Sequence, residues 1–130
     1  MIDPSYRNVA TYEPDFLPRG GFPVYRGSVV LESGQNLKRG SILGRKTANG
    51  KFVLCSKTVA DGTTAVADGS EKPVCVLQID VDATDSDKFA PVFRTGAFLG
   101  IALKVGKGYT VDGLYEDLAQ RMIFVEKGED

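Results

Sequence analysis

The chain contains no histidine. Ser-His-Asp and Cys-His nucleophile systems, His-ligated zinc and the usual general base near neutral pH are therefore absent, and most hydrolytic mechanisms go with them. Cysteine is scarce: Cys55 and Cys75 are the only two. Both sit in apolar, strand-like runs without Cys-x-x-Cys spacing, which favours buried reduced thiols and leaves a disulfide open. No apolar run approaches the roughly 20 residues that a bilayer-spanning helix needs. The N-terminus also lacks the basic start and apolar stretch of a secretion signal, so synthesis and folding in a cytoplasm are expected, with no membrane partner. Strong net charge is missing too. Sixteen Lys and Arg against seventeen Asp and Glu leave a formal charge of -1, which supplies no long-range field to draw in nucleic acid or anionic lipid.

What the chain does have is an unusual beginning. Residues 1–25 hold four of the six prolines (Pro4, Pro14, Pro18, Pro23) and five of the twelve aromatics (Tyr6, Tyr12, Phe16, Phe22, Tyr25). Proline removes a backbone donor and restrains its neighbour, so this stretch cannot build a continuous helix or central strand on which the rings would line up. The expectation is an extended arm, residues 1–25, ahead of one body, residues 26–130. A chain of 130 residues suits a single domain. Such an arm either drapes over its own body or docks on another molecule by strand addition or groove binding.

Beyond Tyr25 the sequence turns to short β-branched and apolar runs punctuated by glycine. Strands are expected at Val24 to Glu32, Ser41 to Arg45, Lys51 to Ser56, Val74 to Val81, Lys88 to Thr95 and Ala97 to Val105. Cys75, Leu77 and Ile79 alternate with Gln78 and Asp80, the pattern of a sheet with one wetted face. Asn49-Gly50 signals a hairpin, and Lys57 to Pro73 reads as a surface loop. One helix is expected near the end, where Val111, Leu114, Tyr115, Leu118, Ala119 and Met122 recur at helical spacing behind a Thr110 cap. Met122 to Val125 then returns as an edge strand. The fold class is mainly β with one C-terminal helix.

Motifs with possible chemistry have plainer readings. Asp80, Asp82, Asp85 and Asp87 crowd together, but a calcium loop starting at Asp80 would put Asp85 where glycine is needed and Pro91 where a bidentate glutamate is needed, so a solvated turn fits better. Gly100 to Gly108 ends in Gly-Lys-Gly and lacks the spacing of a phosphate loop, which leaves a strand-to-helix connection. Lys38, Arg39, Arg45, Lys46 and Lys51 read as a solvated hairpin face. No catalytic, cofactor-binding or metal residues are assigned.

Three stretches together resemble a known family: Tyr12-Glu-Pro-Asp-Phe-Leu-Pro-Arg-Gly-Gly-Phe-Pro-Val24, Gly34-Gln-Asn-Leu-Lys-Arg-Gly-Ser-Ile-Leu-Gly-Arg45 and Cys75-Val-Leu-Gln-Ile-Asp-Val-Asp-Ala-Thr84. They are similar to the lambda-like phage head decoration proteins, and the likeness extends over most of the chain. The resemblance implies a small β-rich decoration-protein fold with an extended N-terminal arm. It also implies a non-enzymatic capsid cement without cofactors. On that reading the protein is a homotrimer on the outer capsid surface of the virion, at three-fold and quasi-three-fold positions of the expanded shell, where it resists the pressure of packaged DNA. Its partner would be the major capsid protein of the same virion, with no nucleic acid contact. The arm would carry the attachment, with Tyr12, Pro14, Phe16, Leu17, Phe22, Pro23 and Val24 as capsid-binding residues. The long, proline-rich start departs from the shorter lambda form. Two rival classes remain: a calcium- or carbohydrate-binding β module using Asp80 to Asp87, and a tail or spike accessory protein.

Overall fold

The computed structural model describes residues 23–59 and 62–126. Ile42-Leu43, Cys75-Val76-Leu77 and Val92-Phe93 are consecutive apolar residues that are all buried. Side chains alternate across a strand, so a run buried at every position must be covered on both faces. The chain achieves this by curling its sheet. The strands are β1 (Tyr25–Leu31), β2 (Gln35–Leu37), β3 (Ile42–Arg45), β4 (Phe52–Leu54), β5 (Cys75–Leu77), β6 (Val81–Ala83), β7 (Lys88–Leu99) and β8 (Ile123–Glu126). A short helix, α1 (Tyr115–Ala119), precedes β8.

The main sheet runs β1-β4-β3-β5-β7-β8, and β1 pairs with β7 as well, which closes the first five of these strands into a barrel. Every barrel strand sends residues to one cluster: Val29 and Leu31 from β1, Leu43 from β3, Phe52 from β4, Cys75 and Leu77 from β5, and Ala90 and Val92 from β7. The small β2-β6 ribbon adds Ala83, with Leu37 and Val81 packed alongside. The opposite face of β3, β5 and β7 carries Ile42, Val76 and Phe93, which are in register with one another. These are covered by Phe98, Leu103, Leu114, Leu118 and Ile123. The expectation of one wetted face is therefore corrected at β5. Its three residues are all fully buried, while Ile79 and Asp80, beyond the strand's end, are exposed.

β7 also departs from expectation. A break at Gly96 and a second strand reaching Val105 were expected, yet one strand continues from Lys88 to Leu99 and a 3-10 turn follows at Gly100–Ala102. Gly96 permits this because its φ of +147° lies where side-chain-bearing residues are strained. Past that point β7 changes partners and pairs in parallel with β8. Just before it, the register with β1 slips, so that Phe93 faces Arg26 and Thr95 faces Tyr25, leaving Arg94 as a bulge.

The Asn49-Gly50 hairpin is present between β3 and β4. Gly50 takes φ +74° and donates to the Lys46 carbonyl, while Asn49 Oδ1 accepts from Lys51 N–H. The helix is shorter than its periodicity suggested: a 3-10 turn at Asp112–Leu114 leads into α1. Thr110 Oγ1 accepts from Gly113 N–H at 3.0 Å within the 3-10 turn, whereas α1 itself starts behind Leu114 without a side-chain cap. Met122 turns the chain into β8 with φ +63° and is exposed rather than apolar-facing.

The surface loop ending at Pro73 is not wholly at the surface. Ser70 and Pro73 are buried, and Cys55 Sγ and the Tyr109 hydroxyl both donate to the Glu71 carbonyl. A Cβ on Gly44 would stand 2.1 Å from the Ser70 carbonyl oxygen. Gly44→Ala is therefore expected to cost about 1 to 3 kcal/mol, because neither backbone can yield without unseating this turn. A thermal midpoint equal to that of the wild type would show that the turn does not rest on β3 in solution.

Candidate functional site

Of the proposed attachment region, the described residues are its root, Pro23, Val24 and Tyr25. The Thr95 hydroxyl donates to the Pro23 carbonyl at 3.0 Å and accepts from Tyr25 N–H at 3.1 Å. Val24, between them, is half-buried against Phe98 and its neighbours, while Pro23 is exposed. Of the seven residues assigned to capsid binding, Tyr12, Pro14, Phe16, Leu17 and Phe22 lie outside the described residues. The structure thus fixes where the segment joins the barrel: beside Thr95, next to the Arg94 bulge. Thr95 was missed from sequence, and no local signal marks it, because its role depends on the register between β1 and β7.

The outer face of β1 and β7 leaves large apolar side chains in solvent. Phe89 is 80% exposed and Tyr25 68%. Phe89 lies opposite Val30, one pair along from Ala90, which points into the barrel. Periodicity marks Phe89 as outward but says nothing of its being uncovered.

The aspartate cluster is distributed among separate tasks. Asp80 Oδ1 accepts from Arg39 N–H at 2.7 Å, Asp82 Oδ1 accepts from Thr84 N–H at 3.0 Å, and Asp87 bridges Ser33 N–H and Lys51. Thr84 lowers the pKa of Asp82, and Lys51 that of Asp87. Among the described residues no group of three or more carboxylates or cysteines is placed to hold a metal ion. The two cysteines are free and buried in different clusters, Cys55 outside the barrel and Cys75 within it. Burial pushes each thiol up to about 12, so neither is a reactive thiolate.

The basic residues read as a hairpin face are mostly paired. Lys46 bonds Glu32 at 2.8 Å and Lys51 bonds Asp87 at 2.7 Å, while Lys38 stands 3.9 Å from Asp80. Arg45 lines a groove with Thr47, Glu71 and Arg94 instead.

The family described as bacteriophage lambda head decoration protein D matches residues 10–120 of the chain. No curated protein matches it.

The hydrogen bond from Lys46 holds the Glu32 carboxyl below its ordinary value of 4.5, with Asn49 assisting and burial opposing. A depressed folded pKa stabilises above the ordinary value, and that stabilisation is lost as pH falls through the folded pKa. Glu32→Gln should therefore flatten the fall in thermal midpoint between about pH 6 and about pH 3. Parallel curves for variant and wild type would remove this pair from the acid response.

Proposed function

The chain belongs to the bacteriophage lambda head decoration protein family, structural proteins of the outer surface of the phage capsid, and on that premise we propose that it is a homotrimeric cement attached through residues 1–25. The trimer sits over three-fold and quasi-three-fold positions of the expanded shell and ties neighbouring capsomers together against the pressure of packaged DNA. The major capsid protein is its partner, and no catalytic step is involved. The observation that carries the attachment reading is the fixed root: Pro23 and Tyr25 are both tied to Thr95, so a pull on the preceding 22 residues is delivered straight to the barrel.

The energetics favour multiplicity over a single strong contact. Each peptide residue fixed on a surface costs about 1 to 2 kcal/mol of backbone entropy, so one proline-rich segment with a few aromatic anchors binds modestly. Joining three segments on one hub changes this. Once the first is seated, the others meet their sites at an effective concentration that reaches the millimolar range, and avidity rises by roughly 10² to 10⁴. Capsomers bridged in this way separate only after the bound segments peel off.

Deleting residues 1–22 is expected to leave a folded trimer, seen by solution mass and thermal melting, with sharply weakened attachment to expanded heads. Undiminished attachment would take the segment out of the mechanism. Within the full chain, Phe16→Ala and Phe22→Ala should each weaken head binding by about tenfold or more while shifting the melting temperature little. A large loss of stability with normal binding would instead assign those rings to the protein's own core.

A further inference from the structure

Arg45, Lys72, Arg94 and Arg121 line one open groove of about 510 Å³, with Thr47, Ala67, Gly69, Glu71 and Val74 forming the rest of its wall. Glu71 is the one carboxylate among the lining residues, and its Oε1 already accepts from Gly69 N–H at 2.8 Å. Asp117 stands farther along, in the adjoining cleft that shares Lys72 and Arg121. None of the four cations has an ion pair among the described residues, whereas Lys38, Lys46 and Lys51 each stand beside a carboxylate. In a chain of net charge -1, four cations against one occupied carboxylate is a local concentration of charge.

Backbone features set part of this arrangement. Arg94 is the bulged residue of β7, and a bulge re-aims its side chain. Its guanidinium lies over the Phe52 ring, 5.8 Å from the centroid, and its stem passes Gly27, where a Cβ would come within 3.3 Å of Nε. Arg94 is thus held half-buried at the groove by an aromatic face and a missing side chain. Arg45, Lys72 and Arg121 are exposed around it. Planar guanidinium groups bind carboxylates through paired N–H donors, which suits them to this task.

The groove adjoins the root of the leading segment. Thr95, which holds Pro23 and Tyr25, follows Arg94 in β7, and Gly96 N–H donates to the carbonyl of Met122, the residue after Arg121. We infer that this groove is a second anchor, seated on a carboxylate-bearing segment of the shell protein that lies beneath the root. The inference rests on the reading of residues 1–25 as the shell-binding element. A protein carboxylate fits better than nucleic acid, because the family occupies the outer surface of the head and the chain as a whole is slightly acidic.

Binding of the full-length chain to expanded heads lacking decoration protein, measured across a range of salt concentrations, tests this. Lys72→Glu/Arg121→Glu is expected to keep the wild-type thermal midpoint and solution mass, to bind about tenfold or more weakly, and to show a shallower salt dependence. Should charge reversal lower the midpoint, Lys72→Gln/Arg121→Gln takes its place, with a loss of several-fold expected. Wild-type affinity and salt dependence in the folded variant overturn the inference. A polyglutamate peptide should displace the wild type from heads, and duplex DNA at equal charge concentration should not; equal displacement by DNA overturns the carboxylate assignment. Phe16→Ala/Phe22→Ala separates the two readings: if it binds heads normally while the groove variant does not, the attachment role of the segment fails and the groove stands.

Discussion

The twelve residues of β7 hydrogen-bond to three strands in turn: to β1 and β5 over the first part, then to β8 from Gly96 onward. The double pairing closes the barrel, so the five strands present no open edge to one another's neighbours and their inner side chains form one enclosed cluster. The continuation beyond Gly96 holds β8, and with it α1, over the outer face of β3, β5 and β7. Two cores on opposite faces of one sheet therefore share a single long strand. Phe93 and Phe98, 5.3 Å apart between ring centroids, mark how tightly the outer core follows its path.

Polar groups that resemble chemical sites are taken up in holding this barrel. Asp80, Asp82 and Asp87 accept from backbone amides around the β2-β6 ribbon and the start of β7. Glu32 ties the end of β1 to the β3-β4 hairpin through Lys46 and Asn49. The Glu71 carbonyl receives both Cys55 Sγ and the Tyr109 hydroxyl, which clamps the long loop to the outer core. Carboxylates used in this way are spent on shape, in keeping with a structural protein of the phage head.

Thr95 receives the leading segment at the point where β7 slips register and changes partners, and the slip also turns Arg94 into the cationic groove. Root and groove are thus products of one irregularity in one strand. Pro23 and Tyr25 are both bonded to Thr95, and β7 in turn pairs with β1, β5 and β8.

Much of this was legible from residues alone. Alternation and β-branching located β1, β3, β4 and β5, Asn49-Gly50 marked its turn, and Met122 to Val125 the returning strand. Local chemistry decides these features, since each depends on neighbours within a few positions. The ordered motifs at residues 12–24, 34–45 and 75–84 were enough to indicate the family. Burial of both faces of β5, passage of β7 through Gly96, shortening of the helix to α1 and the docking of Ser70 on Gly44 were not legible, because each is set by a partner distant in sequence. The same holds for Thr95 and the groove. Arg45, Lys72, Arg94 and Arg121 are spread over three-quarters of the body, and only closure of the barrel and the return of β8 bring their charges to one place. Sequence alone thus determined the β character, the turns and the proline-rich composition of the start, because steric and hydrogen-bonding preferences act residue by residue; the tertiary structure decided which surfaces meet and which cations stand without an ion pair among the described residues, because those follow from register between strands far apart in the chain.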